Sequence, residues 1–195
     1  MTNPSAIFDA LCIVNQTSSQ YAGISLSELN LLSYFSCLLS LYNGNAVSDW
    51  GYSFLKSGQG VPVSAELAES CSLLVEVGEL KKEGICYCIT PMGKMRLQFL
   101  QTMDFMRSRE ECLQAACDCL LMDSIVEIVT LISRDSVIKE SRLHPLKCLN
   151  CEENSSLQML YEQFEVVTKA IGFRRNLFVP ATSWLLYLRQ EQGKA

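Results

Sequence analysis

The chain has 195 residues, enough for one domain or two small ones, and its hydrophobic fraction of 49% is too high for a disordered segment. Sixteen Lys or Arg against 21 Asp or Glu give a formal net charge of −5, so no global basic field draws it to nucleic acid or anionic lipid. Ten cysteines would suit a secreted disulfide scaffold, but Met1-Thr2-Asn3-Pro4-Ser5 is not a basic leader followed by an apolar run. The apolar runs are also too interrupted for a membrane span. The expectation is a cytoplasmic protein, not associated with a membrane, whose reduced cysteines serve mainly as small buried hydrophobes.

In chain order, Ala6 to Val14 reads as a short apolar helix, followed by a Ser/Gln/Thr-rich loop from Asn15 to Gly23. Ser25 with Glu28 forms a capping-box pattern that opens a helix from Leu26 to Tyr42, apolar nearly all round and closed by Asn43-Gly44-Asn45. Such a helix is central to a core or sits in an interface. Val47 to Leu55 reads as a second short helix or turn carrying Trp50, Tyr52 and Phe54, and Val61 and Val63 around Pro62 suggest an edge strand. Ser64 caps a helix from Ala65 to Val77 that Gly78 stops. Leu80, a polar turn with Gly84, then Ile85, Tyr87 and Ile89 in alternation, read as a hairpin. Thr90 and Pro91 then start a helix through Met95 and Phe99.

The second half is helical by pattern. Cys112, Leu113, Ala116, Cys117, Leu120 and Leu121 recur at helical spacing, as do Ile125, Ile128, Val129 and Ile132. A Pro-containing break spans His144 to Asn154. Leu157, Leu160, Tyr161, Phe164, Val167 and Ile171 then make an amphipathic stripe, and a last helix follows Pro180, from about Thr182 to Gln192, with Trp184, Leu185 and Leu188 inward.

This order, up to about residue 103, is that of a winged helix, and the expected fold is mainly α: a winged-helix domain with a β-hairpin wing over residues 1–103, then an α-helical region over 104–195, possibly packed on the first as one unit. A DNA-reading helix needs Arg, Lys, Asn or Gln for base edges and cations for phosphates. Ser64 to Leu80 instead holds Glu66, Glu69, Glu76 and Glu79 and no Lys or Arg. Weak candidates for DNA contact are Lys81 and Lys82 in the wing, and the Lys169, Arg174 and Arg175 cluster, whose position near a helix C-terminus the helix dipole also favours. Candidate partner anchors are Leu31, Tyr34 and Leu38 on the all-apolar helix, the aromatics Trp50, Tyr52 and Phe54, and the carboxylates Glu66 and Glu69; plain core packing is the alternative for the apolar ones.

Catalysis has no support in the motifs. His144 is the sole histidine and lacks a nucleophile setting, and Gly58-Gln59-Gly60 lacks the Lys-Ser/Thr of a phosphate-binding loop. His144, Cys148 and Cys151 have the spacing H-x3-C-x2-C, and Cys112 or the Cys117-x-Cys119 pair could complete a tetrahedral zinc site. A single C-x2-C is a weak signal, so no cofactor is expected and structural zinc is the alternative.

Leu29-Asn30-Leu31-Leu32-Ser33-Tyr34-Phe35 at the opening of the winged segment and Ile89-Thr90-Pro91-Met92-Gly93 at its close give the first 100 or so residues a resemblance to small accessory subunits of bacterial defence systems built on SMC/Rad50-like ATPases, the three-component group that includes Lamassu. The likeness is one of pattern, without a signature motif. It implies a non-catalytic subunit that bridges or restrains an SMC-like ATPase and a separate effector in defence against phage or plasmids, with DNA contact at most indirect or non-specific. The competing expectations are a winged-helix transcriptional regulator and an enzyme with an unfamiliar site.

Overall fold

A computed structural model describes residues 3–58, 60–133, 135, 137–138, 148–151, 156–172 and 176–190. The chain is mainly helical with a small sheet. Helix α1 (Pro4–Thr17) begins on Asn3, whose side chain accepts from the backbone N–H groups of Ser5 and Ala6, with Pro4 at the first helical position. It is longer than the apolar stretch alone suggests, because Asn15, Gln16 and Thr17 continue it. Strand β1 is only Ile24–Ser25, too short to show alternation in sequence. Ser25 also caps helix α2 (Leu26–Leu39), and the capping box with Glu28 forms as the pattern requires. Every residue of α2 from Leu29 to Leu39 is buried, so this is the central helix of the core.

Between α2 and the next helix lies an insertion. A 3-10 turn over Ser40–Asn43 ends at Gly44 in the left-handed conformation. A second 3-10 turn covers Val47–Trp50, the start of the stretch read from sequence as a short helix or turn; Gly51, also left-handed, stops it, and Tyr52 to Phe54 lie outside helix and strand. Strands β2 (Leu55–Lys56) and β3 (Pro62–Val63) then pair antiparallel around the Ser57–Gly60 turn.

Helix α3 (Ala65–Glu76) is capped by Ser64. Hairpin strands β4 (Leu80–Glu83) and β5 (Cys86–Ile89) are joined by Gly84-Ile85, with Gly84 at positive φ as a two-residue turn demands. β1 pairs with β5, so the sheet order is β1-β5-β4. Helix α4 (Pro91–Gln101) starts on Thr90, whose hydroxyl accepts from Gly93 N–H. The glycine at 93 is a steric requirement: a Cβ there would lie 2.1 Å from the Glu79 carbonyl oxygen. The same carbonyl accepts from Thr90 N–H, so the first turn of α4 is seated directly on the start of β4.

Helix α5 (Asp104–Asp118) packs on α1, α2 and α4, and helices α6 (Ile125–Ile132), α7 (Ser156–Ile171) and α8 (Phe178–Gln190) complete the described chain. Helix α8 begins before Pro180 rather than after it, which is tolerated because the missing N–H falls in the first turn. Trp184 of α8 stacks on Phe35 of α2 and tilts against Phe164 of α7. One contiguous core therefore holds residues from both halves, from Phe8 to Leu188.

Candidate functional site

A buried polar node joins helices far apart in sequence. Asp9, fully buried on α1, receives Arg109 of α5 through two bonds, Nε to Oδ1 at 2.5 Å and Nη2 to Oδ2 at 2.8 Å. This is the bidentate geometry that suits guanidinium and carboxylate. Arg109 Nη1 donates to the Trp50 carbonyl at 2.6 Å, and the guanidinium lies over the Trp50 ring, 3.8 Å from its centroid. Tyr52 and Ser33 hydroxyls both donate to Asp9 Oδ2. Burial works against the charge of Arg109, but the Asp9 carboxylate more than offsets it and holds the guanidinium's pKa above its ordinary value. Burial first, then the nearby Asp9 charge, pushes the Tyr52 phenol well up, so Tyr52 is a neutral donor. A cleft of about 370 Å³ opens beside this node, with Asp49, Phe105 and Ser108 on its walls. The node fixes α1, α2, α5 and the insertion relative to one another; it offers no activated nucleophile.

Sequence reasoning missed Asp9 and Arg109. A signal did exist: Asp9 is the sole charged residue before Glu28, set in an otherwise apolar helix. A lone carboxylate there needs a buried cation, but its partner lies 100 positions away.

The expected apolar anchors are corrected. Leu31, Tyr34, Leu38, Trp50, Tyr52 and Phe54 are all buried, none more than 6% exposed. Tyr34 packs edge-on to Phe54, and Phe54 tilts against Tyr52. They are core, and the all-apolar face of α2 is covered by its own chain.

The surface that remains is α3, the hairpin and α4. Glu66 is half-buried, its carboxylate accepting from the Ser64 hydroxyl at 3.0 Å, while Glu69 and Glu76 are exposed. Glu79 departs from the expected acidic face: it is 8% exposed and accepts both Arg96 Nη1 contacts, at 2.9 and 3.0 Å. The solvent side of α3 thus carries two exposed carboxylates and the half-buried Glu66 rather than four, still without a cation. In the hairpin, Lys81 pairs with Glu83 at 2.6 Å, a contact that raises the Lys81 pKa and lowers that of Glu83. Lys82 lies over the Tyr87 ring, 5.6 Å from its centroid. On α4, Met92, Met95 and Phe99 are exposed at spacings of three and four, an apolar stripe on one helix face.

Lys169 is exposed on α7 and paired with Glu165 at 2.7 Å. Arg174, Arg175 and His144 lie outside the described residues. Cys148 and Cys151 are joined by a disulfide, which corrects the expectation that all cysteines are reduced and removes both sulfurs as zinc ligands in this state. Among the described residues no group of three or more His, Cys, Asp or Glu is placed to hold a metal ion. The other eight cysteines are free thiols, six of them buried. No helix among the described residues is long and apolar enough to cross a membrane.

No protein-family model, curated protein or solved structure matches this chain.

Proposed function

We propose that the chain is a non-catalytic adaptor subunit, built on a winged-helix unit over residues 1–103, that bridges or restrains an SMC-like ATPase and an effector in defence against phage or plasmids. The observation that carries the reading is the charge on α3, the helix before the hairpin. It leaves Glu69 and Glu76 exposed and Glu66 half-buried on one side, with no compensating Lys or Arg on the helix. A carboxylate 4 Å from a phosphate costs about 1 kcal/mol even in water, so three of them oppose entry into a groove. The hairpin lysines do not reverse this, since Lys81 is engaged by Glu83 and Lys82 lies over Tyr87.

The sheet order supports the winged-helix part of the proposal, because a short strand before α2 joining the hairpin as third strand is the winged-helix arrangement. The insertion over residues 40–63 is an addition to that plan. The Met92, Met95 and Phe99 stripe supports a protein partner, since solvent-facing apolar patches mark contact surfaces. The SMC-like ATPase and the effector come from the resemblance of the first 100 residues.

The test is co-expression of this chain with an SMC-like ATPase and an effector of that defence class, paired with titration of a short duplex at physiological salt. Co-purification of the three, with no duplex shift by the chain alone, is expected. A low-micromolar shift that Lys81→Ala with Lys82→Ala abolishes would overturn the adaptor in favour of a DNA-binding regulator.

A further inference from the structure

The turn Cys148-Leu149-Asn150-Cys151 is anchored in the fold by its two inner residues. Leu149 is fully buried and its N–H donates to the Phe54 carbonyl at 2.7 Å. Asn150 is 4% exposed, and its amide makes three bonds into the insertion: Nδ2 donates to the Val47 carbonyl at 3.2 Å and to the Tyr52 carbonyl at 3.0 Å, and Oδ1 accepts from Phe54 N–H at 2.9 Å. Cys148 bridges to Leu55 in antiparallel fashion. The two inner residues are thus the anchors, and the two cysteines flanking them stay partly exposed.

This division of labour bears on what the disulfide is for. A bridge spanning three positions closes a very small loop, where the restriction of the unfolded chain is least. The turn's place in the fold rests instead on Leu149 and Asn150, whose bonds to Val47, Tyr52 and Phe54 do not involve sulfur; a contact of Cys148 Sγ with Asn150 Oδ1 at 3.6 Å lies within the turn itself. Opening the bridge leaves those bonds in place. Among the ten cysteines, moreover, the bridged pair is the one with C-x2-C spacing, the spacing at which two thiols and one disulfide interconvert with little movement of the chain. The buried thiols offer no competing chemistry: burial pushes Cys71, Cys112 and Cys119 up to about 12, which keeps them protonated and inert.

We propose that Cys148 and Cys151 form a reversible thiol–disulfide exchange site, reduced by a dithiol. A thiolate of the dithiol attacks one sulfur of the bridge; a mixed disulfide forms and the other cysteine leaves as a thiolate that takes a proton from water. The second thiol of the dithiol, losing its proton, attacks the mixed disulfide and releases the first cysteine. Two electrons pass from the dithiol, which ends as a cyclic disulfide, to the protein, which ends with two thiols.

Both cysteines fall on one tryptic peptide, residues 148–169, that contains no other cysteine. The full-length folded protein is equilibrated with graded ratios of reduced to oxidised dithiothreitol, alkylated, and that peptide weighed. The expected result is a passage from no alkylation to two alkylations as the reduced form rises, reversed by the oxidised form, with circular dichroism unchanged throughout. In Cys151→Ser, the remaining Cys148 should be trapped as a mixed disulfide by an activated thiol, and the corresponding Cys148→Ser should trap Cys151. A pair that stays unlabelled until denaturant is added is a buried structural bridge and overturns the proposal. So does a pair alkylated twice even in oxidised dithiothreitol, or a stoichiometric zinc ion that leaves on Cys148→Ser.

Discussion

Arg109→Ala would remove the only cation that Asp9 meets among the described residues. The carboxylate is fully buried, so after the change it keeps just the Tyr52 and Ser33 hydroxyls as donors. Leaving one member of a buried ion pair alone costs about 3–5 kcal/mol. Loss of the guanidinium from the Trp50 ring adds about 1 kcal/mol, and the Trp50 carbonyl loses its donor. Together this is a large fraction of the roughly 5–15 kcal/mol by which native domains are stable. At about 2–4 °C per kcal/mol for a chain of this size, the melting midpoint should fall by about 10 °C or more. Urea unfolding followed by circular dichroism reads the free energy, and the double change Asp9→Asn with Arg109→Met should lose less than the two single changes combined. A loss under about 1 kcal/mol for Arg109→Ala would mean that Asp9 is not held in a dry core, and the reasoning about this node would be wrong.

Two further outcomes follow from particular atoms. Gly93→Ala drives a Cβ into the Glu79 carbonyl at 2.1 Å and should cost about 2–3 kcal/mol or more, whereas Gly58→Ala, with nothing within 4 Å, should stay within about 0.5 kcal/mol on the same urea assay. Stability should be flat near neutral pH and fall as pH rises above about 9. There the unfolded thiols release protons that folded Cys71, Cys112 and Cys119, with pKa values of about 12, still hold, so each lowers the unfolding free energy by up to about 1.4 kcal/mol per pH unit. A urea midpoint that rises between neutral pH and about 10 would contradict the burial of these thiols.

What could be read from the sequence was what local chemistry specifies. The Ser25–Glu28 box, the Gly84 turn and the Thr90-Pro91-x-Gly93 start each depend on residues a few positions apart, and all three form. The Leu26–Tyr42 helix shows where that legibility ends. An apolar circumference fits core and interface equally well, and the choice is made by α5, α8 and the insertion, none of which the local pattern contains. Asp9 with Arg109 and Asn150 with Val47, Tyr52 and Phe54 are pairings across about half the chain or more, set by packing. The acidic α3 stands between these cases. Its charges were plain in the sequence, but the removal of Glu79 from that face by Arg96 required the fold.

The most direct test of the adaptor account is sedimentation velocity of this chain mixed with an SMC-like ATPase, in the absence of DNA. The account predicts one co-sedimenting complex that charge reversal at Glu66, Glu69 and Glu76 weakens. Two boundaries that move independently, at concentrations where each protein alone is folded, would contradict it.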